Sequence, residues 1–362
     1  MNGLIEIQTA QKWLIDRDFG LRAIRLVNAM MNGHLLTNEK EKVLQDLYCM
    51  TESGFVNFAA ADHEDDGGHA ENLKEPFISV LHLEGLLTRE GGACTYGSRE
   101  LRDLMMQAAD QENCLGHLLI INGPGGVSNT IPDFMQAIDY ARSKGQPVVG
   151  RIDGYCASAH IWVSAMCDEV YYNNPKDQIG SVGIYWAGIT NKDGDTDPDT
   201  GGTWHIVYDP ESYDKNKPYR DIADNNDDTL IKEELIADGK VFRDFVKMRR
   251  PNATDEHLHG KMFDAAEVEG ILVNGQATMR EVFERIVALH TEYSKTNTSN
   301  PNNNKAMKEK FPALFAALQV EEMQMTDDGA FMNTELLATL NEALAEKQAQ
   351  EAPETLNDQF SA

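Results

Sequence analysis

One serine lies among small residues at a point where chemistry could occur. Ser158 belongs to the segment 153–160, DGYCASAH, which follows an apolar run and would lead from a strand into a helix. Upstream, a second apolar run ends in the segment 122–126, NGPGG, whose glycine amides no side chain need cover. Acyl transfer requires preorganised donors for the developing oxyanion beside the nucleophile. The two segments therefore predict a serine hydrolase, with Ser158 as nucleophile and the amides of Gly125 and Gly126 as oxyanion hole.

Other residues near Ser158 offer weaker chemistry. Cys156 precedes the expected helix and has no evident histidine partner, which disfavours a cysteine nucleophile. His160 follows Ser158 by two positions, which on a helix turns its ring about 200° away from the serine. His205 falls within a predicted strand, 205–208, where a structural histidine is the simpler interpretation. The glycines could also form only a tight turn, and Ser158 could be only a small residue at a helix start.

The sequence from about residue 77 to 289 alternates strands and helices. Predicted strands cover residues 77–83, 115–122 and 147–152, and predicted helices cover residues 98–109, 129–144, 158–166 and 229–248. Short apolar strands separated by helices predict an α/β fold with a parallel sheet and right-handed crossovers. Sites in such sheets form beyond the carboxyl ends of strands, which is where Ser158 and the glycines lie. Arg243, Arg249 and Arg250, in or just after the last helix, are interpreted as a solvated face.

Composition indicates a soluble globular protein and excludes some partners. The chain has 362 residues, of which 41% are apolar and 25% charged, enough to bury a sizeable core. A formal net charge of −27 leaves no basic footprint for nucleic acid or an anionic membrane. Residues 1–14 mix charged and amide side chains with apolar ones, so they predict neither a signal peptide nor a transmembrane helix, and we expect a cytoplasmic protein.

The cysteines indicate reduced thiols. They are odd in number and form no CxxC or Cys/His cluster, so no disulfide, zinc site or other cofactor is expected. They are Cys49, Cys94, Cys114, Cys156 and Cys167.

Two parts precede the predicted sheet. Residues 1–58 carry apolar stripes at helical spacing and are predicted to be helical. The stripes comprise Leu21, Ile24, Val27 and Met31, and then Val43, Leu44 and Leu47. Residues 59–75 are rich in acids, glycine and histidine and predict a solvated linker. A metal cluster there is disfavoured because the acids are consecutive and glycines interrupt the set, which is His63, Glu64, Asp65, Asp66 and His69.

Two further parts follow the predicted catalytic domain, which covers residues 76–294. Residues 295–310 begin with a low-complexity run rich in asparagine and predict a linker. Residues 311–362 predict a helical, acidic tail in which Leu336, Leu340 and Leu344 share one helix face. Such a face usually packs on a partner.

Five motifs carry a resemblance to a known family. In order along the chain they are residues 77–85, 122–126, 154–158, 165–170 and 180–184. This order resembles that of the signal peptide peptidase A (protease IV) family of serine peptidases, and most of all its phage and prophage branch of prohead, or capsid-maturation, proteases. The resemblance spans roughly residues 77–290. It implies a core similar to those of crotonases and the Clp protease, with crossover helices around parallel strands.

The resemblance implies a Ser-Lys dyad in which a lysine downstream of residues 180–184 is the general base. Lys215 is the first choice and Lys217 the alternative, although an ungapped match to some relatives would put Tyr213 at the lysine position. Desolvation would have to lower the pKa of that lysine towards neutrality so that it can accept a proton. Ser181 would orient the amine, or else be a loop serine that satisfies its own backbone.

The resulting hypothesis is a serine endopeptidase that forms an acyl-enzyme and processes phage scaffold, portal or capsid proteins. The resemblance also implies a homo-oligomer. One alternative is a peptidase that degrades signal peptides. Another is an acyl-CoA enzyme of the crotonase type, disfavoured because no glutamate follows either turn at the helix. A third is an inactive scaffold protein whose tail carries the function.

Overall fold

The protein is described by a computed structural model. It describes residues 12–15, 47–52, 54–58, 75–91, 96–188, 190, 192–196 and 201–297. The chain divides into two compact units, residues 1–290 and 291–362, and residues 291–297 are the described part of the second.

The described residues form eleven strands and seven α-helices. The strands are β1 (Lys12–Ile15), β2 (Leu47–Thr51), β3 (Gly54–Phe58), β4 (Phe77–Leu87), β5 (Cys114–Val127), β6 (Val148–Ala157), β7 (Glu169–Tyr172), β8 (Gln178–Gly180), β9 (Tyr185–Trp186), β10 (Met262–Asp264) and β11 (Gly275–Gln276). The helices are α1 (Ser98–Ala109), α2 (Ile131–Ser143), α3 (Ala159–Met166), α4 (Lys217–Asn225), α5 (Thr229–Arg249), α6 (Asp255–Leu258) and α7 (Met279–Asn297), with 3-10 turns at Ser128–Thr130 and Ala265–Val268.

These strands join in one mixed sheet with a parallel centre. Its main path runs β10-β8-β6-β5-β4-β2-β3. Strands β4, β5 and β6 are parallel, and β6 continues in parallel with β7 along its first half and with β8 along its second. The predicted α/β fold with parallel strands and crossover helices is confirmed. The carboxyl ends of β5 and β6 consequently lie side by side, which is the arrangement that the two sequence segments required.

Apolar residues on both faces of the central strands explain why these strands are buried. Ile78 and Val80 of β4 pack with Leu118 and Ile120 of β5 in one cluster, which α7 covers with Val282, Ile286 and Leu289. The intervening β5 residues, Leu119 and Ile121, are also buried. A strand buried on both faces reads as a continuous apolar run, and this is why β5 was predictable. Its actual length exceeds the prediction, because β5 continues through the glycines to Val127.

The prediction of a helical segment over residues 1–58 is wrong for its described parts. Residues 12–15, 47–51 and 54–58 are strands. Leu47, assigned to a helical stripe, instead begins β2, which pairs with β3 in a hairpin and with β4 at the edge of the parallel core. The edge of β4 supplies backbone partners that outweigh local helical spacing. The other stripe residues lie outside the described residues, as do the 59–74 part of the first linker, the Asn-rich linker beyond 297 and the tail.

Candidate active site

Ser158 lies between the end of β6 and the start of α3 in a backbone conformation that few residues adopt. Its φ is 57° and its ψ is −112°, outside the regions that L-residues favour. Its amide donates to the carbonyl oxygen of Gly180 at 3.0 Å, and its Oγ donates to that of Gly183 at 3.2 Å. Such strain persists only where the surroundings enforce it, and it is common at functional sites. Here it turns the Ser158 side chain towards the 180–184 loop.

The glycine turn next to Ser158 is possible only because it lacks side chains. A Cβ on Gly123 would lie 2.4 Å from the carbonyl oxygen of Gly85, and one on Gly126 would lie 2.0 Å from that of Leu87. Gly125 has a φ of 113°. The turn therefore packs its backbone directly against the end of β4. Gly123 also pairs with Cys156 of β6, which fixes the turn beside the Ser158 segment.

His160 supports this turn through a hydrogen bond. It is completely buried, and its Nδ1 accepts a hydrogen bond from the amide of Gly125 at 2.9 Å. Burial lowers the pKa of His160 to about 3, against a smaller opposing effect of the Leu83 backbone. The ring is therefore neutral, and because Nδ1 accepts, the ring proton sits on Nε2. The expectation that His160 is not the base agrees with this geometry, but its role as a support for the turn was not predicted.

One of the two amides predicted for an oxyanion hole already has a partner. The Gly125 amide already donates to His160, so it does not face the place where an oxyanion would form. Gly126 is the next amide along the turn. Ala159 begins α3, and the first amides of a helix have no partner within it. This leaves the amides of Gly126 and Ala159 as the candidate pair. Ala159 could have been found from the sequence as the first residue after a nucleophile at a helix start.

The loop that follows β8 forms the other wall of the site. Ser181, half-buried, has a φ of 56°, and its amide donates to the carbonyl oxygen of Lys261 at 2.9 Å. Next to it opens a cavity of about 590 Å³ between this loop and α5. The cavity is lined in part by Ser181, Gly183, Tyr185, Ile236, Arg243 and His259. One of the lining residues, Gly183, also accepts the hydrogen bond of the Ser158 hydroxyl.

The two candidate lysines lie in solvent-facing positions. Lys215 is exposed in the turn that precedes α4. Lys217 forms an ion pair with Asp221 at 2.5 Å. The hydroxyl of Ser158 donates to Gly183 rather than to either amine. Burial that would favour a neutral amine is therefore not provided at Lys215 by the described chain alone.

Two arginines fix the far end of the nucleophile helix. Arg249 donates to the carbonyl oxygen of Ala165 at 3.0 Å, and Arg250 donates to that of Ser164 at 3.2 Å. Burial lowers the pKa of Arg250 to about 10. The prediction of a solvated face is wrong for both, because the unpaired carbonyls at the end of a short helix attract cations. The arginines thereby anchor α3, the helix that begins beside Ser158.

The remaining nucleophile and base candidates differ in burial. Cys156 is buried, which raises the pKa of its thiol to about 12. His205 is not in a strand, contrary to prediction, and its side chain is 80% exposed. Ser79 and His117 form a hydrogen bond of 2.6 Å, and Gln146 bonds the other ring nitrogen. This Ser-His pair is completely buried within the sheet, where no substrate can reach it.

The described residues offer neither a metal centre nor a membrane-spanning helix. They contain no group of three or more His, Cys, Asp or Glu residues placed to hold a metal ion. Residues 63–69, with the metal cluster considered above, lie outside them. Within the same part of the chain, every helix is too short or too polar to cross a membrane.

Comparisons with known proteins yield similar folds. No protein-family model matches the chain, and no curated protein matches it. A serine-to-alanine mutant of the 1510-N membrane-bound stomatin-specific protease matches with 13% identity and a TM-score of 0.32, over 59% of this chain and 86% of that one. A lysine-to-alanine mutant of the same protease, in complex with a substrate peptide, matches with 14% identity and a TM-score of 0.31, over 59% and 80%. The Clp protease catalytic domain from Plasmodium falciparum matches with 12% identity and a TM-score of 0.33, over 56% and 86%.

Proposed function

We propose that the protein is a serine endopeptidase that works through an acyl-enzyme. The supporting observation is the geometry of Ser158. It is a strained serine at the end of a parallel strand, at the start of a helix, and beside a glycine turn that packs backbone on backbone. A nucleophile next to unpaired helix amides is the arrangement that acyl transfer needs. This function rests on the site and on the motif order, and not on the similar structures.

The proposed reaction has two halves. Ser158 Oγ attacks the scissile carbonyl carbon while the general base takes its proton, and the carbonyl oxygen becomes an oxyanion held by the amides of Gly126 and Ala159. The carbon–nitrogen bond then breaks, and the base returns the proton to the leaving amine. Water attacks the acyl-enzyme by the same route and releases Ser158. Arg249 and Arg250 act only on position, because they hold the helix that begins with Ala159.

Lys215 remains the proposed base, with Lys217 as the alternative and Ser181 as the group that orients it. The support is the motif order of the resembling family. A lysine base must be neutral, and Lys215 is exposed in the described chain. We propose that substrate, or a second copy of the chain, buries it. Lys217 would first have to leave Asp221. A homo-oligomer would meet this requirement.

Labelling of Ser158 tests the proposed function. A fluorophosphonate probe should label the wild-type chain at Ser158, and Ser158→Ala should abolish both labelling and hydrolysis of a protein substrate such as casein, with an expected loss of several orders of magnitude in rate. Ser212→Ala is a matched control, since that serine is half-buried and bonds Asp209 in a surface turn. The absence of labelling both in the wild-type chain and in a Leu14→Pro variant, in which strand β1 is weakened, would favour an inactive scaffold protein or an acyl-CoA enzyme. Normal turnover by Ser158→Ala would refute a serine mechanism.

We further propose that the substrates are phage scaffold, portal or capsid proteins and that the enzyme works in the bacterial cytoplasm or in the prohead. The support is the resemblance to prohead proteases and the acidic, leucine-striped tail predicted at 311–362. Deletion of residues 295–362 should preserve peptide hydrolysis but abolish co-assembly with the neighbouring capsid proteins. Normal co-assembly of the shortened chain would refute the role of the tail, and preference for free signal peptides would favour the alternative peptidase.

A further inference from the structure

The amino-terminal strand lies against the two glycines of the oxyanion turn. Strand β1 is antiparallel to β5, with Leu14 opposite Gly126 and Ile15 opposite Gly125. On its other side it is antiparallel to β9, with Trp13 opposite Tyr185 and Lys12 opposite Trp186. β1 is only four residues long and lies off the main path of the sheet. It therefore bridges the turn and the strand that follows the Ser181 loop.

We propose that β1 is an intramolecular occupant of the peptide-binding cleft, and that it must leave before a polypeptide substrate can reach Ser158. This inference rests on the proposed function, since it takes the cleft for a peptide site. An extended peptide adds to exposed strand backbone through main-chain hydrogen bonds, largely regardless of its sequence. The backbone of residues 125–127 and 185–186 is the edge that such a peptide would use, and β1 already pairs with both.

The burial of Ser158 supports the same conclusion. Ser158 has a relative exposure of 0%, and Ala157 and Ala159 on either side of it are also completely buried. A nucleophile that attacks a polypeptide must be reached by an extended chain. In the folded chain β1 lies beside the turn, and the 180–184 loop contacts Ser158 itself. The substrate class that fits the emptied cleft is an extended, backbone-recognised polypeptide segment.

Tethering makes such an occupant effective. A segment joined to the cleft by its own chain has an effective concentration in the millimolar range, so peptides present at micromolar concentration compete poorly with it. Its release, by cleavage or by binding of the amino-terminal segment elsewhere, would then control the enzyme. Short strands are the parts of a sheet that open at least cost.

A reversible disulfide lock tests the proposal. Cα atoms of directly opposed residues in antiparallel strands lie about 4.5–5.5 Å apart, within the range that a disulfide spans. The full chain with Trp13→Cys and Tyr185→Cys, in a Ser158→Ala background, should therefore form that disulfide on oxidation. The control pairs Trp13→Cys with Val207→Cys. Val207 is 90% exposed and lies outside the strands, so this pair should not form a bond.

The probe is a fluorescein-labelled synthetic peptide with the sequence of residues 8–19, QTAQKWLIDRDF. Its affinity, measured by anisotropy, should fall at least tenfold when the lock is closed and recover on reduction. Failure of the disulfide to form, or equal peptide affinity in the locked and reduced states, would overturn the proposal.

A second pair of variants opens the cleft instead of closing it. Leu14→Pro removes an amide from the β1 ladder, whereas Leu14→Ala keeps it. In the Ser158→Ala background, Leu14→Pro should bind the peptide at least tenfold more tightly than Leu14→Ala, and equal affinities would overturn the proposal. With Ser158 restored, fluorophosphonate labelling tests the catalytic function separately. A chain that binds the peptide as expected but is never labelled would refute the endopeptidase and leave the occupied cleft standing.

Discussion

Replacement of His160 should separate the support of the oxyanion turn from the packing beneath it. His160→Phe keeps a ring in the completely buried site but removes the acceptor for the Gly125 amide, which lies 2.9 Å from Nδ1. A buried amide left without its partner costs about 1–3 kcal/mol. Thermal unfolding should therefore occur several degrees lower, at roughly 2–4 °C per kcal/mol for a domain of this size.

The catalytic effect should appear in kcat rather than in KM. Loss of one oxyanion donor costs about 10²–10³ in kcat, and a displaced turn weakens the Gly126 donor without deleting it, so a fall of tenfold or more is expected. The matched variant His160→Asn places an oxygen at the position of Nδ1 but loses ring volume. It should retain more of kcat than His160→Phe while also losing stability through the cavity it leaves. The measurements are steady-state peptide hydrolysis and thermal unfolding of both variants. Wild-type kcat in His160→Phe would refute the role of this hydrogen bond.

Two further predictions concern protons. Lys215→Ala should reduce hydrolysis as severely as Ser158→Ala, and the double variant should be no worse than either, because the two residues act as one unit; equal loss in Lys217→Ala with an active Lys215→Ala would transfer the role to Lys217. Acid should destabilise the fold. Burial lowers the pKa of His117 to about 4 and that of His160 to about 3. From about pH 6.5 down to those values the unfolded chain therefore binds more protons than the folded chain. Each histidine contributes about 1.4 kcal/mol per pH unit in that window. Urea unfolding at pH 7 and pH 5 should show a net loss, smaller in His160→Asn; unchanged stability would refute the buried, neutral state of His160.

The sheet was predictable where burial is uniform. Continuous apolar runs in β4 and β5 and a helix of regular spacing in α1 depend on few long-range contacts, and the α1 prediction agrees with the observed Ser98–Ala109. The amino-terminal strands were not predictable in the same way. The pairing of β2 with β4 is set by a neighbour distant in sequence, and the apolar residues around it fit a helix as well as a strand.

In the candidate site, too, features set by local sequence were predictable and features set by packing between elements were not. The glycines were identifiable because close backbone approach is a local demand, whereas the nucleophile role of Ser158, which follows a strand end, stays a prediction. The acceptor on His160 and the arginine contacts to α3 depend on packing across elements. From sequence, His160 shows only its direction around a helix, and the arginines show only their charge. A buried polar group must find partners, but the sequence does not say which ones.

Both the sequence and the structure leave the general base unassigned. Tyr213 stands where an ungapped match to some members of the resembling family would place the lysine, and it is 71% exposed. Lys215 is exposed as well. A lysine that serves as a base has to be desolvated. The proposed mechanism with Lys215 as base therefore requires that something else cover the 213–217 turn when β1 has left the cleft. A polypeptide substrate that replaces β1 would meet both conditions at once, so that the nucleophile and its base become competent only in the enzyme–substrate complex.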